Sequence, residues 1–166
     1  MNSRKAISKI EIILVMVLIL LMGLSVFTLV ISSSDTYKKV ITQKDELTEL
    51  RIAASYIDNK IKQAGSENAI EVRNNLVNNQ PSIVITEKSD GEIYETWIYQ
   101  SEDSLKETYI KQGQLFDENM SFVIANVKEL RPSIDNSVLN IKLTGNTSSD
   151  IPQIRKLKIN LRANGS

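Results

Sequence analysis

Ile12 to Ile31 reads IILVMVLILLMGLSVFTLVI, twenty residues without a charge, and the fold turns on how that run is read. At 1.5 Å per residue, a helix of this length covers about 30 Å, the hydrocarbon thickness of a bilayer. A buried core helix is the ordinary rival. A chain of 166 residues, however, has too little material to enclose a helix that is apolar on every face. A cleaved secretory signal would have an apolar core of about 7–15 residues, followed by small residues at the cleavage spacing. This run is longer, and Ser32-Ser33-Ser34 lacks that spacing. The run therefore predicts one transmembrane helix, residues 7–31, in a single-pass membrane protein.

Charge sets the expected orientation. Arg4, Lys5 and Lys9 precede the helix, with Glu11 as the lone acid. Short basic flanks stay on the cytoplasmic side, so the reading is a cytoplasmic-membrane protein with its N-terminus inside and its C-terminal domain outside. The whole chain carries 20 basic and 20 acidic residues, so no global field points to nucleic acid. Taking away the N-terminal charges leaves 17 basic and 19 acidic residues from residue 32 onward. The chain has no cysteine and no histidine. Disulfides, thiol chemistry, the commonest nucleophile–base pairs and most zinc sites fall away with them. Glu11 stands at the edge of the apolar run, where a lone carboxylate is costly. It can lie in water at headgroup level, or its charge can find a partner inside the membrane.

The stretch Arg4-Lys5-Ala6-Ile7-Ser8-Lys9-Ile10-Glu11-Ile12-Ile13-Leu14-Val15 resembles the N-terminus of type IV pilin-like proteins. In that family a prepilin peptidase removes a short basic leader. The new N-terminus opens a long hydrophobic helix, with glutamate as the fifth mature residue. Counting back from Glu11, the resemblance implies a leader of residues 1–6 and a cut between Ala6 and Ile7. Ala6 stands where the family usually has glycine, and Lys9 where it usually has an apolar residue or threonine. The resemblance also implies Glu11 as a subunit-assembly residue.

Downstream, residues 32–64 read as an amphipathic stem helix. Leu47, Leu50, Ala54, Ile57, Ile61 and Ala64 recur at spacings of three and four, an apolar stripe on one face. Gly65 is a candidate C-cap. The stripe suits packing on a β-sheet better than a coiled coil, for which only about three heptads are present.

Residues 65–166 read as β-rich. Ser82 to Glu87, Glu92 to Gln100 and Leu105 to Lys111 form an expected three-stranded meander, with Asp90-Gly91 as a tight-hairpin signal. A weak strand or turn is expected around Ile70 to Val72. Phe122 to Val127 and Val138 to Leu143 read as further strands separated by a loop at Pro132. Leu157, Ile159 and Leu161 alternate with Lys156, Lys158, Asn160 and Arg162 in a last strand, reached through a long loop at 145–153. Each strand is expected to have one dry and one wet face. The fold class is α+β: a transmembrane helix continuing into an amphipathic helix that packs on an antiparallel sheet. This order of parts resembles the minor pseudopilins of type II secretion and competence systems. Their "Gly-x-Leu", apolar strand and following strand would correspond to Gly113-Gln114-Leu115, Phe122 to Leu130 and Val138 to Leu143.

Other chemistry is thin. Asp117-Glu118-Asn119 and Glu102-Asp103 carry oxygen ligands that calcium uses, but no spaced Asp/Asn/Gly loop surrounds them, and solvated turns are the better reading. Asn119-Met120-Ser121 and Asn146-Thr147-Ser148 match the glycosylation triplet, which is short enough to arise by chance. Trp97, Tyr94, Tyr99 and Tyr109 could line a ligand groove, but cross-strand packing is the commoner use of such residues. No catalytic, cofactor-binding or metal-binding residue is assigned, no cofactor or small-molecule substrate is expected, and no nucleic-acid contact is evident. Two functions compete. One is a non-enzymatic structural subunit of a pilus-like or pseudopilus assembly used in secretion or DNA uptake. The resemblance implies as its partners other pilin-like subunits, the prepilin peptidase, the assembly machinery and membrane lipid. The other is a membrane-anchored extracytoplasmic binding or sensory module that never polymerises. Glu11 and the Ala6–Ile7 junction separate the two, because a mere anchor needs neither.

Overall fold

The computed structural model describes residues 3–64, 69–114, 116–146 and 152–161, with α1 side chains described at 9–31, 41 and from 43 on. One α-helix, α1, runs Ser3–Ala64. Among the described residues eight strands follow: β1 Ile70–Asn74, β2 Pro81–Ser89, β3 Glu92–Ser101, β4 Ser104–Lys111, β5 Phe122–Asn126, β6 Glu129–Asp135, β7 Val138–Thr144 and β8 Ile154–Asn160. A short 3-10 helix, Glu118–Met120, precedes β5. The chain divides into two compact units, 1–42 and 43–166. The architecture is α+β, with a single helix, among the described residues, long and apolar enough to span a membrane.

Unit 43–166 contains two antiparallel sheets rather than the one expected. The first has strand order β1-β2-β3-β4-β5 and the second β6-β7-β8. Three of the connections are two-residue hairpin loops with both central residues at positive φ: Asp90-Gly91, Glu102-Asp103 and Asn136-Ser137. Such turns twist in the same sense as the strands they join. Gly91 takes its φ of 82° without steric cost, whereas the non-glycine residues adopt the left-handed region at some expense.

The Asn136-Ser137 hairpin corrects the expected loop at Pro132. Pro132 lies inside β6, opposite Ile141. It is tolerated because β6 is an edge strand, where every second backbone N–H points away from the ladder and its loss breaks no bond. Phe122 to Leu130 is likewise not one strand. It breaks at Val127-Lys128, and the chain leaves the first sheet for the second there.

One core joins the helix to both sheets. Leu50, Ala53, Ala54, Ile57 and Ile61 of α1 pack with Ile83, Ile98 and Leu105 of the first sheet and with Leu139, Ile141 and Leu143 of the second. Ala53, which the stripe omitted, is fully buried, and Leu47, which the stripe included, is 44% exposed. Alanines at 53 and 54 let the helix backbone approach the strands closely. Gly65 and Leu115 lie outside the described residues, as does 147–151 of the expected 145–153 loop.

The expectation of one dry and one wet face fails for the first sheet. Consecutive residues Glu95 to Tyr99 of β3 are all buried, so both faces are covered there. Even-numbered Thr96 and Ile98 face the helix side. Odd-numbered Trp97 and Tyr99, with Trp97's register partner Val84 of β2, form a second small core on the back of the sheet, closed by Ile110 and Phe116. The segment between β4 and β5 crosses that face as a strap. Phe116 meets the Trp97 and Tyr99 rings edge-on, with centroids 5.9 and 5.1 Å apart.

Candidate functional site

Within α1, every described side chain from Lys9 to Ile31 is exposed, and this 23-residue stretch is long and apolar enough to cross a membrane. Its two hydroxyls are satisfied by the helix itself. Ser25 Oγ donates to the Leu21 carbonyl and Thr28 Oγ1 to the Ser25 carbonyl, both at 2.9 Å. Hydrocarbon offers no partner for such groups, so self-satisfaction is what lets them sit in a lipid-facing helix. Glu11 lies two residues from Lys9, and residues at that spacing point to different faces of a helix. Pairing between them within one chain is therefore disfavoured, and the Glu11 carboxylate is exposed. The backbone at Ala6 and Ile7 is helical, within the first turns of α1; their side chains lie outside what is described.

In the β-rich unit, the polar residues that converge do so on carboxylates. Glu107 of β4 accepts hydrogen bonds from the Tyr56 hydroxyl and from the Lys60 ammonium (3.0 Å to Nζ), tying α1 to the first sheet. Burial, together with the bond to the Glu107 carboxylate, raises the Tyr56 hydroxyl pKa well above its usual value. On the back face, Glu95 is 5% exposed. One of its oxygens takes Arg73 Nη2 at 2.9 Å and Gln112 Nε2 at 3.3 Å, and the other takes Trp97 Nε1 at 3.0 Å. The Arg73 guanidinium also lies 4.9 Å above the Trp97 ring. Both oxygens are occupied by internal donors, so this arrangement fixes the back of the sheet and holds the start of the strap. Burying one carboxylate among three donors is what makes its charge tolerable. Composition and spacing singled out neither cluster. The available signal was parity: Glu95 shares its strand face with Trp97 and Tyr99.

The residues weighed for other chemistry have structural partners. Asp117 caps the 3-10 helix by accepting from the Asn119 backbone N–H at 2.9 Å. Glu118 accepts from Lys106 Nζ at 2.8 Å and from the Ser101 hydroxyl. The Lys106 bond, then the Ser101 bond, hold the Glu118 carboxyl below the usual carboxylate range. Among the described residues no three acidic side chains converge as a metal site would need. Tyr94 and Tyr109 stack on each other at 5.2 Å across β3 and β4, while Trp97 and Tyr99 face the opposite way into the strap. The four aromatics are thus split between two faces and do not line one groove. Of the glycosylation triplets, Asn119 sits in the exposed 3-10 helix, and Asn146 donates to the Asp103 carbonyl. Thr147 and Ser148 lie outside the described residues. A polar groove of about 880 Å3 opens beside the Glu102-Asp103 turn, with Gln80, Gln100, Lys128 and Glu129 in its lining.

An N-terminal apolar helix followed by an antiparallel α+β unit is compatible with a pilin-like protein. The chain belongs to the family described as a domain of unknown function (DUF4860), whose model matches residues 48–146. No curated protein and no solved structure matches the chain. The family match covers the stem stripe from Leu50 onward and the strands from β1 to β7. It includes neither the apolar span nor Glu11.

Proposed function

We propose that the protein is a structural subunit of a pilus-like assembly of the pseudopilus type, processed between Ala6 and Ile7 and held in the membrane with its β-rich unit outside the cytoplasm. The observation that carries this reading is the double use of one helix. The helix that supplies the exposed apolar span Lys9–Ile31 also supplies Leu50, Ala54, Ile57 and Ile61 to the core of the β-rich unit. Removal of the leader creates a positively charged amine on Ile7, and in a staggered bundle that amine of one subunit can pair with Glu11 of another. Both charges are costly in hydrocarbon unless paired, so the pair would set axial register.

The test is co-purification of differently tagged copies from membranes of cells that express the assembly machinery. Glu11→Gln keeps the side-chain shape and removes the charge, so it should insert normally and lose incorporation. Glu11→Asp should be intermediate. Incorporation of Glu11→Gln at the wild-type level would remove Glu11 from the mechanism.

One observation favours a second reading, an anchored extracytoplasmic binding or sensory module. The family model matches residues 48–146, and the membrane-capable span lies outside that match. On that reading the leader would stay uncleaved and Glu11 would be a solvated boundary residue.

A further inference from the structure

The pairing register of the second sheet assembles a line of cations that the linear sequence disperses. Arg131 of β6 lies opposite Lys142 of β7, and Lys142 opposite Lys156 of β8. Register partners share a face, so the three stand in one row across the sheet, with neighbouring strands about 4.8 Å apart. Lys158 follows two residues along β8, on the same face, opposite Asn140. This is the outer face: the alternate residues Leu130, Pro132, Leu139, Ile141 and Leu143 are buried. Arg131, Lys156 and Lys158 are exposed and Lys142 is half-buried. A shallow hollow of about 260 Å3 runs among Arg131, Asn140, Lys142, Lys156 and Lys158.

Like charges placed directly opposite each other destabilise a sheet, so the row is a cost to folding. Glu129 offsets part of it, pairing with Arg131 at 2.6 Å and attracting Lys142 through space; Asp135 stands further along the same strand. The three lysines carry no ion pair among the described residues. They sit in a portion of the chain, from residue 32 onward, that is acidic overall at 17 basic against 19 acidic residues.

We infer that this face of β6, β7 and β8 binds the phosphate backbone of double-stranded nucleic acid, without sequence preference. Charge complementarity calls for a polyanion, and the neighbouring side chains select among the kinds. A protein partner would be met by an apolar, aromatic-rich centre with few charges, and the exposed row is charged along its length, flanked by Ser133 and Asn140. A membrane surface would be met by a broad apolar face for insertion, whereas the exposed aliphatic residue on this face is Ile154 at the start of β8, beyond the end of the row. Single strands are held by stacking bases on aromatic rings, and no aromatic residue stands on β6, β7 or β8. What remains is contact with phosphates alone. This inference is independent of the assembly reading.

The experiment uses the full chain in nanodiscs of zwitterionic lipid and a fluorescent duplex of mixed sequence, read by anisotropy. With three lysines unpaired, the observed affinity should fall about 40-fold between 50 and 200 mM salt. A triple variant, Lys142→Gln, Lys156→Gln and Lys158→Gln, should lose at least tenfold in affinity at low salt. It should fold at least as well as wild type, because it removes like-charge repulsion; far-UV circular dichroism checks that. A control variant, Lys44→Gln, Lys62→Gln and Lys88→Gln, makes the same change in net charge elsewhere and should bind as wild type does. The inference is overturned by absence of duplex binding at low salt or by equal loss in the two triple variants. It is equally overturned by displacement of the duplex by anionic vesicles or polyglutamate at matched charge, or by preference for single strands.

Discussion

Truncating Ile57 should cost more stability than any other single change in the stem stripe. Ile57 is fully buried between the helix and the strands. Ile57→Ala removes three carbons, and at about 0.8 kcal/mol per buried methylene the transfer loss is about 2.4 kcal/mol. If the site does not collapse, a cavity of about 75 Å3 adds about 1.8 kcal/mol at 24 cal/mol per Å3. The expected loss is therefore about 2.4–4.2 kcal/mol, the lower value applying if neighbours relax into the space. Ala53 and Ala54 flank the site and have no side-chain length with which to fill it, which argues for the upper half of that range. The matched control is Leu47→Ala. It belongs to the same sequence stripe but is 44% exposed, so it should cost under about 1 kcal/mol. The assay is equilibrium urea unfolding of a soluble fragment covering 43–166, followed through Trp97, the chain's one tryptophan. Equal losses for the two variants, or an Ile57→Ala midpoint within error of the parent, would refute the packing argument and mean that the stripe faces something other than the sheets.

Intact-mass measurement of protein extracted from cells with an active prepilin peptidase should give a chain beginning at Ile7; recovery of Met1 alone would favour the anchored-module reading. Phe116→Ala should free the strap, cost about 1–3 kcal/mol and shift Trp97 emission to longer wavelength as water reaches the back of the sheet. An unchanged spectrum would mean that the strap does not shield Trp97. Acid should loosen the same strap before it unfolds the unit. The Glu118 carboxyl is held low by Lys106 and Ser101, so its contribution is present above the ordinary glutamate range and disappears as pH falls below about 4. Lys106 is raised by its bond to Glu118, so its share persists at neutral pH and fades only in strong alkali. Glu118→Gln should abolish the acid step in Trp97 emission, and persistence of that step would assign it to another carboxylate.

Much of this protein is legible before any folding is considered, because some signals are local. Twenty uncharged residues in a row exceed what a small core can enclose. The spacing of Leu50, Ala54, Ile57 and Ile61 fixes a helix face, and Asp90-Gly91 fixes a hairpin, through the short-range geometry of one turn each. What escaped a linear reading depends on residues far apart in sequence. Pro132 reads as a loop until the edge position of β6 removes its penalty. Leu47 and Ala53 exchange places because the width of the contact, not the helical period, decides which flanking residue is covered. Glu95 became a buried carboxylate only when Arg73, Trp97 and Gln112 came within hydrogen-bond reach from three segments. The row Arg131, Lys142 and Lys156 is invisible along the chain, where its members stand 11 and 14 residues apart. A strand can slip by one residue and turn its whole set of side chains to the other face, so only the register of the folded sheet could bring those cations together.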